Sequence, residues 1–147
     1  MSARRLWHYT REACWQGIDA DQMIRVEEYG DPDWSYRPLQ GRPVLWFSTR
    51  QTWGPTATPG RDEQWITWAE RQTLGPMRIE VAPATAPYSW REYRALSGID
   101  PGFARALAGT GREQGANPLD WYVSFEPVPA SRWLAVERMV RGELLVP

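Results

Sequence analysis

Residues 4–10 read Arg4-Arg5-Leu6-Trp7-His8-Tyr9-Thr10, and the short run inside them decides how the rest of the chain is read. The aromatic and apolar side chains of Leu6, Trp7 and Tyr9 predict a short strand that closes on Thr10. His8, the only histidine of the chain, stands near its end. Thr10 is a suitable cap for a helix running to Gln16 or Ile18, with Glu12 favourable in the first turn. Gly17 weakens the end of that helix. Met23-Ile24-Arg25-Val26 then predicts a second short strand.

Beyond this opening, residues 27–43 hold Gly30, Pro32, Pro38, Gly41 and Pro43, a long loop of the kind that carries function. Val44-Leu45-Trp46-Phe47-Ser48 is apolar almost throughout and predicts a central strand. Residues 52–60 predict a second loop, and residues 62–73, acidic early and basic late, predict a helix, with a strand as the alternative. Residues 77–81 (MRIEV) alternate apolar and charged, the pattern of a half-exposed strand. Ser89 with Glu92 three residues on predicts a capped helix to Leu96. Asp100-Pro101 opens another, ended by the glycines of 109–115. Strands follow at 121–125 and at 132–139, where a helix is the alternative, with a short edge at 144–146. Strands and helices do not alternate regularly. The expectation is therefore one α+β domain over residues 1–147, with a mainly antiparallel, split sheet.

Composition narrows the class. The chain has 147 residues, a net charge of −1, and 42% hydrophobic and 24% charged residues, so one ordinary hydrophobic core is expected. All 17 basic residues are arginine. A GC-rich coding sequence accounts for that, and so does retention of arginine for bidentate phosphate or carboxylate contacts. The charge balance does not indicate nucleic-acid binding through bulk charge. Cys14 is the single cysteine, which excludes an internal disulfide and a cysteine-based zinc site. Beside Ala13 and Trp15 it reads as a buried structural thiol. No run of signal-peptide or membrane-spanning character is present, and the cytoplasm is the expected compartment. Ten tryptophans are predicted mostly as core, with Trp34 and Trp53 as alternative walls of a cleft.

No phosphate-loop, dinucleotide, zinc-protease or nucleophile-elbow pattern occurs. A lone histidine excludes a multi-histidine metal site. Two readings of His8 stand. It is a structural histidine, or it lies at a cleft where an imidazole, with the hydroxyls of Tyr9 and Thr10, hydrogen-bonds a sugar or amide.

LWHYT at 6–10, the helix after it and MIRV at 23–26 together resemble the start of the ADP-ribosyltransferase fold, in the diphtheria-toxin and poly(ADP-ribose) polymerase branch. VLWFS at 44–48 is similar to that family's next signature strand. Residues 121–137, WYVSFEPVPASRWLAVE, resemble its closing strands. The resemblance covers most of the chain in order and is sharp in these three places. It implies an ADP-ribosyltransferase-like sheet with flanking helices. It also implies NAD as substrate without a metal, and transfer of ADP-ribose to a macromolecular acceptor, expected to be protein, or cleavage of NAD. An RNA 2′-phosphotransferase-type enzyme and a non-enzymatic protein-binding module on the same fold are the alternatives.

On this resemblance His8 would hydrogen-bond the nicotinamide-side ribose, with Tyr9 beside it and Thr10 supporting the strand end. Trp46 falls where the family stacks a tyrosine on nicotinamide, and Ser48 would lie near the cleft. Thr56, followed by Ala57, would match a Ser-Ala that binds the nicotinamide amide. Arg37 and Arg50 are candidates for the diphosphate, with solvated surface arginines as the alternative. The family's catalytic glutamate aligns with Trp121. Asp120 and Glu126 are the nearby carboxylates able to stabilise positive charge on the ribose. Otherwise Asp120 is a turn residue after Asn117-Pro118 and Glu126 an exposed strand end.

Overall fold

In the computed structural model, residues 4–26, 41–50, 76–113, 115–140 and 143–145 are described. The predicted loops at 27–43 and 52–60, the helix at 62–73, and Trp34, Arg37, Trp53 and Thr56 lie wholly or mostly outside them.

The opening strand, expected from Arg4 to Thr10, forms as β1, Leu6–Arg11, starting two residues later and ending one residue later. Thr10 therefore lies inside the strand, 4% exposed, and does not cap the helix. The helix α1 spans Glu12–Asp21; Arg11 precedes it with no side-chain cap. It runs through Gly17, which meets no neighbour, and stops at Gln22, a left-handed residue with φ of 52°. Its inner side is Trp15 and Ile18, and Trp15 meets Trp133 at 5.7 Å between ring centroids. Cys14 is exposed, not buried, because the helix turns its neighbour Trp15 inward.

β2, Met23–Ile24, is shorter than predicted and leaves the main sheet to pair with β7, Val128–Pro129. β3 is Leu45–Ser48 and β4 Pro76–Val81. A short β5, Tyr88–Ser89, leads into α2, Trp90–Leu96, whose capping box is formed as predicted. Ser89 Oγ accepts from Glu92 N and the Glu92 carboxylate accepts from Ser89 N. Asp100 Oδ2 accepts from Phe103 N and starts α3, Pro101–Glu113. That helix continues through Gly109 and Gly111, and Gly115 (φ +88°) follows it. β6 is Trp121–Ser124, β8 Trp133–Val140 and β9 Glu143–Leu145.

The sheet order is β5-β6-β3-β1-β4-β8-β9, and the pairings are antiparallel. This is an α+β architecture with a mainly antiparallel sheet. β1 makes six registered pairs with β4 but a single one, Trp7↔Ser48, with β3. The sheet is thus two well-laddered parts joined along β1 and β3 by one pair.

Both faces of the sheet are covered. Leu6, Leu45, Phe47, Ile79 and Val81 meet α1 and the β2–β7 ribbon on one face. Val123, Val44 and Trp46 meet α2 and α3 on the other. The burial of β4 at Met77, Arg78, Ile79 and Val81 corrects its half-exposed reading; the strand lies between β1 and β8, and Arg78 is 6% exposed. Gly41 shows how closely the segment before β3 approaches the α2–α3 turn. With φ of +74°, a Cβ there would stand 2.6 Å from Ile99 N and 2.7 Å from Ser97 O, so only glycine fits.

Candidate functional site

The imidazole of His8 lies one residue past the single registered pair of β1 and β3. Its Nδ1 is 2.9 Å from the carbonyl oxygen of Trp46. A carbonyl only accepts, so Nδ1 carries a proton and donates. The ring is half-buried, with its centroid 5.5 Å from that of Phe47. Side chains alternate along a strand, and directly paired residues share a face. From Trp7↔Ser48, His8 shares its face with Phe47, whereas Trp46 shares the face of Ser48, Trp7 and Tyr9.

The imidazole and indole therefore point to opposite faces, and the expected meeting of the two rings across one pocket does not occur. His8 meets the backbone of Trp46. The indole of Trp46 sits in an aromatic group, 4.8 Å from Tyr93, 6.0 Å from Trp90 and 6.1 Å from Trp121. That group explains both tryptophans by packing. Trp46 as a nicotinamide platform beside His8 is corrected accordingly.

A second group gathers at the end of β3. Thr49 N donates to the Asp120 carbonyl at 3.0 Å, and Thr49 Oγ1 donates to Asp120 Oδ1 at 3.1 Å. Asp120 closes the 3-10 turn Pro118–Asp120, which Asn117 caps by accepting from Leu119 N. Its carboxylate is held in place by the end of the neighbouring strand rather than left at a free turn. Ser48 Oγ accepts from Arg50 N at 3.0 Å, and Arg50 Nη1 donates to Gly115 O at 3.0 Å.

Tyr9 reaches the same group. Its hydroxyl donates to the Arg50 carbonyl. Burial raises the Tyr9 phenol above its ordinary value, against the opposing pull of Arg78, which hydrogen-bonds it, and of Arg50. Arg78 in turn pairs with Glu137 at 3.0 Å and lies over the Trp7 ring at 4.5 Å.

Four predicted site residues, Tyr9, Ser48, Arg50 and Asp120, are thus brought together. His8 and Trp46 stand apart as described above, and so do Thr10 and Glu126. Thr10 is buried in β1. Glu126 lies past the far end of β6, at least about 13 Å of strand from Asp120. Its side chain is 80% exposed and pairs with Arg42 at 3.6 Å.

Sequence reasoning missed Thr49, Arg78 and Glu137. Thr49 was signalled only by its position directly after a central strand. Arg78 and Glu137 read as the solvent side of alternating strands, and nothing local distinguishes a charge that finds a buried partner 59 residues away. Among the described residues, no helix is long and apolar enough to cross a membrane, and no cluster of metal-ligating side chains occurs. Comparison of the chain with protein-family models, with curated proteins and with solved structures gives no match.

Proposed function

We propose that the chain is an NAD-dependent mono-ADP-ribosyltransferase or NAD-cleaving enzyme on an ADP-ribosyltransferase-like fold, acting at the interrupted β1–β3 ladder. The observation that carries this reading is that interruption: β1 and β3 share one registered pair, and His8 follows it directly with its Nδ1 on the Trp46 carbonyl.

Asp120 is the carboxylate that fits the chemistry. β3 lies between it and β1, so two strand spacings and two residues along the strand, about 12 Å, separate its backbone from that of His8. One sugar ring fits that span. Breaking the bond between ribose and nicotinamide builds positive charge on the sugar. A carboxylate fixed by Thr49 stabilises that charge and orients the attacking hydroxyl or water. Arg50 supplies positive charge beside the same group.

Addition of NAD at about a hundred times its dissociation constant stabilises such a protein by about 2.7 kcal/mol. For a chain of this size that raises the melting temperature by roughly 5–11 °C. His8→Ala removes the shift. Asp120→Asn keeps it and abolishes release of nicotinamide. Absence of any NAD shift in the unaltered chain overturns the reading. A second reading, a binding module without transfer chemistry, is favoured by Trp121, which stands at the position of the family's glutamate and packs against Trp90 at 5.2 Å. An NAD shift without nicotinamide release selects it.

A further inference from the structure

A concavity lies away from His8, between α2, α3 and the Pro118–Asp120 turn. It measures about 590 Å³. Arg91 and Arg94 enter from α2, and Arg105 and Arg112 from α3. Among the described residues, none of the four makes an ion pair, and no carboxylate lines the cleft. The nearby acids are engaged elsewhere: Glu92 and Asp100 cap their own helices, and Asp120 faces Thr49. A chain of net charge −1 thus concentrates four arginines around one cavity.

We infer that this cleft binds a compact polyphosphate of nucleotide size. Guanidinium forks match phosphate oxygens in pairs, and four of them balance the charge of a triphosphate. The volume lies in the range of small-ligand pockets, whereas a nucleic-acid strand calls for an extended groove. The rest of the lining suits the remainder of a nucleotide. Ala104 and Ala108 leave room at the floor, and Leu119, 80% exposed, offers an apolar lip for a base. The turn that forms this wall ends in Asp120, so an occupied cleft adjoins the carboxylate of the proposed transferase site.

The inference is independent of the NAD reading, and calorimetric titration of the whole chain separates them. ATP and inorganic tripolyphosphate are each titrated without divalent cations, beside NAD and a ten-nucleotide single strand. Both polyphosphates bind saturably to the unaltered chain, with ATP the tighter. Arg91→Glu/Arg105→Glu weakens ATP at least about a hundredfold, since each charged contact is worth roughly 1.5–3 kcal/mol. All four arginines are exposed, so the fold tolerates their loss, and Arg94→Gln/Arg112→Gln repeats the test without reversed charge. His8→Ala leaves ATP binding unchanged. Three results overturn the inference: no saturable polyphosphate binding, ATP binding that survives both double variants, or an oligonucleotide that binds more tightly than ATP. Loss of NAD binding in the arginine variants but not in His8→Ala also overturns it as a separate site, by making the cleft the dinucleotide pocket.

Discussion

One face of the sheet is filled in two different ways. Over β3 and β6, Trp46, Val123 and Trp121 meet Trp90 and Tyr93 of α2 in a group of aromatic rings. Over β1, β4 and β8, register places Tyr9, Arg78 and Glu137 side by side, and Trp7 beside Glu80. There the packing is ionic. Arg78 pairs with Glu137, Arg5 with Glu80, and both arginines lie over the indole of Trp7. The aromatic part holds by area and contact, which depend weakly on geometry, pH and salt. The ionic part depends on every partner being present. Its strain is visible in Trp7 Nε1, which is buried with no hydrogen-bond partner. Such a group costs about 1–3 kcal/mol.

The largest effect is expected from the aromatic side. Trp90 is 6% exposed, and Trp90→Ala should cost about 3–5 kcal/mol in urea unfolding at any pH between 6 and 9. A cost under about 1 kcal/mol would show that the rings are loosely packed.

On the ionic side, Arg78→Met leaves Glu137 charged and half-buried, and should cost about 3 kcal/mol. Arg78→Met/Glu137→Leu should recover most of that loss, because paired apolar replacements remove the stranded charge. No paired substitution should behave so on the aromatic side. If the double variant is as unstable as the single one, the two parts differ less than described.

Tyr9→Phe tests the link between the two parts. It removes one buried hydrogen bond, worth about 1 kcal/mol at neutral pH. The phenol is raised in the folded chain, so its contribution is present below its ordinary value of 10.0 and lost as pH rises through the folded one. The unaltered chain should therefore lose stability in alkali, and Tyr9→Phe should lose less over the same range.

The smallest effect belongs to Glu80. The hydrogen bond from Arg5 holds its carboxyl below the usual carboxylate range. That stability is present above the ordinary carboxylate pKa and lost as pH falls through the folded one. Glu80→Gln should flatten the acid limb of the melting profile and change little at pH 7. An unchanged acid limb would remove this pair from the ionic account.

Much of the local structure was legible. Leu6 to Thr10 and Leu45 to Ser48 announce strands by apolar and aromatic content, and Ser89 with Glu92 fixes a helix start, because these signals act within one turn or one strand. The site was legible as a set of residues and not as a geometry. His8 and Trp46 were drawn together because they sit on strands expected to be neighbours, and they are neighbours. Whether two side chains share a face depends on register, which is set by the pair Trp7↔Ser48 across 41 positions of sequence. Asp120 and Glu126 flank the same strand, and only pairing with β3 shows that one end meets Thr49 and the other Arg42.

By itself the sequence determined the α+β class, the lone histidine at the opening strand, the capped helices and the absence of a disulfide. These follow from composition and from interactions between residues close in the chain. Tertiary structure alone decided that the imidazole binds a backbone carbonyl and that the indole is packing. It also decided that Arg78 is buried and that four arginines from two helices surround one cleft. Each of those outcomes is a relation between distant segments, and no local pattern encodes which face a strand turns to its partner.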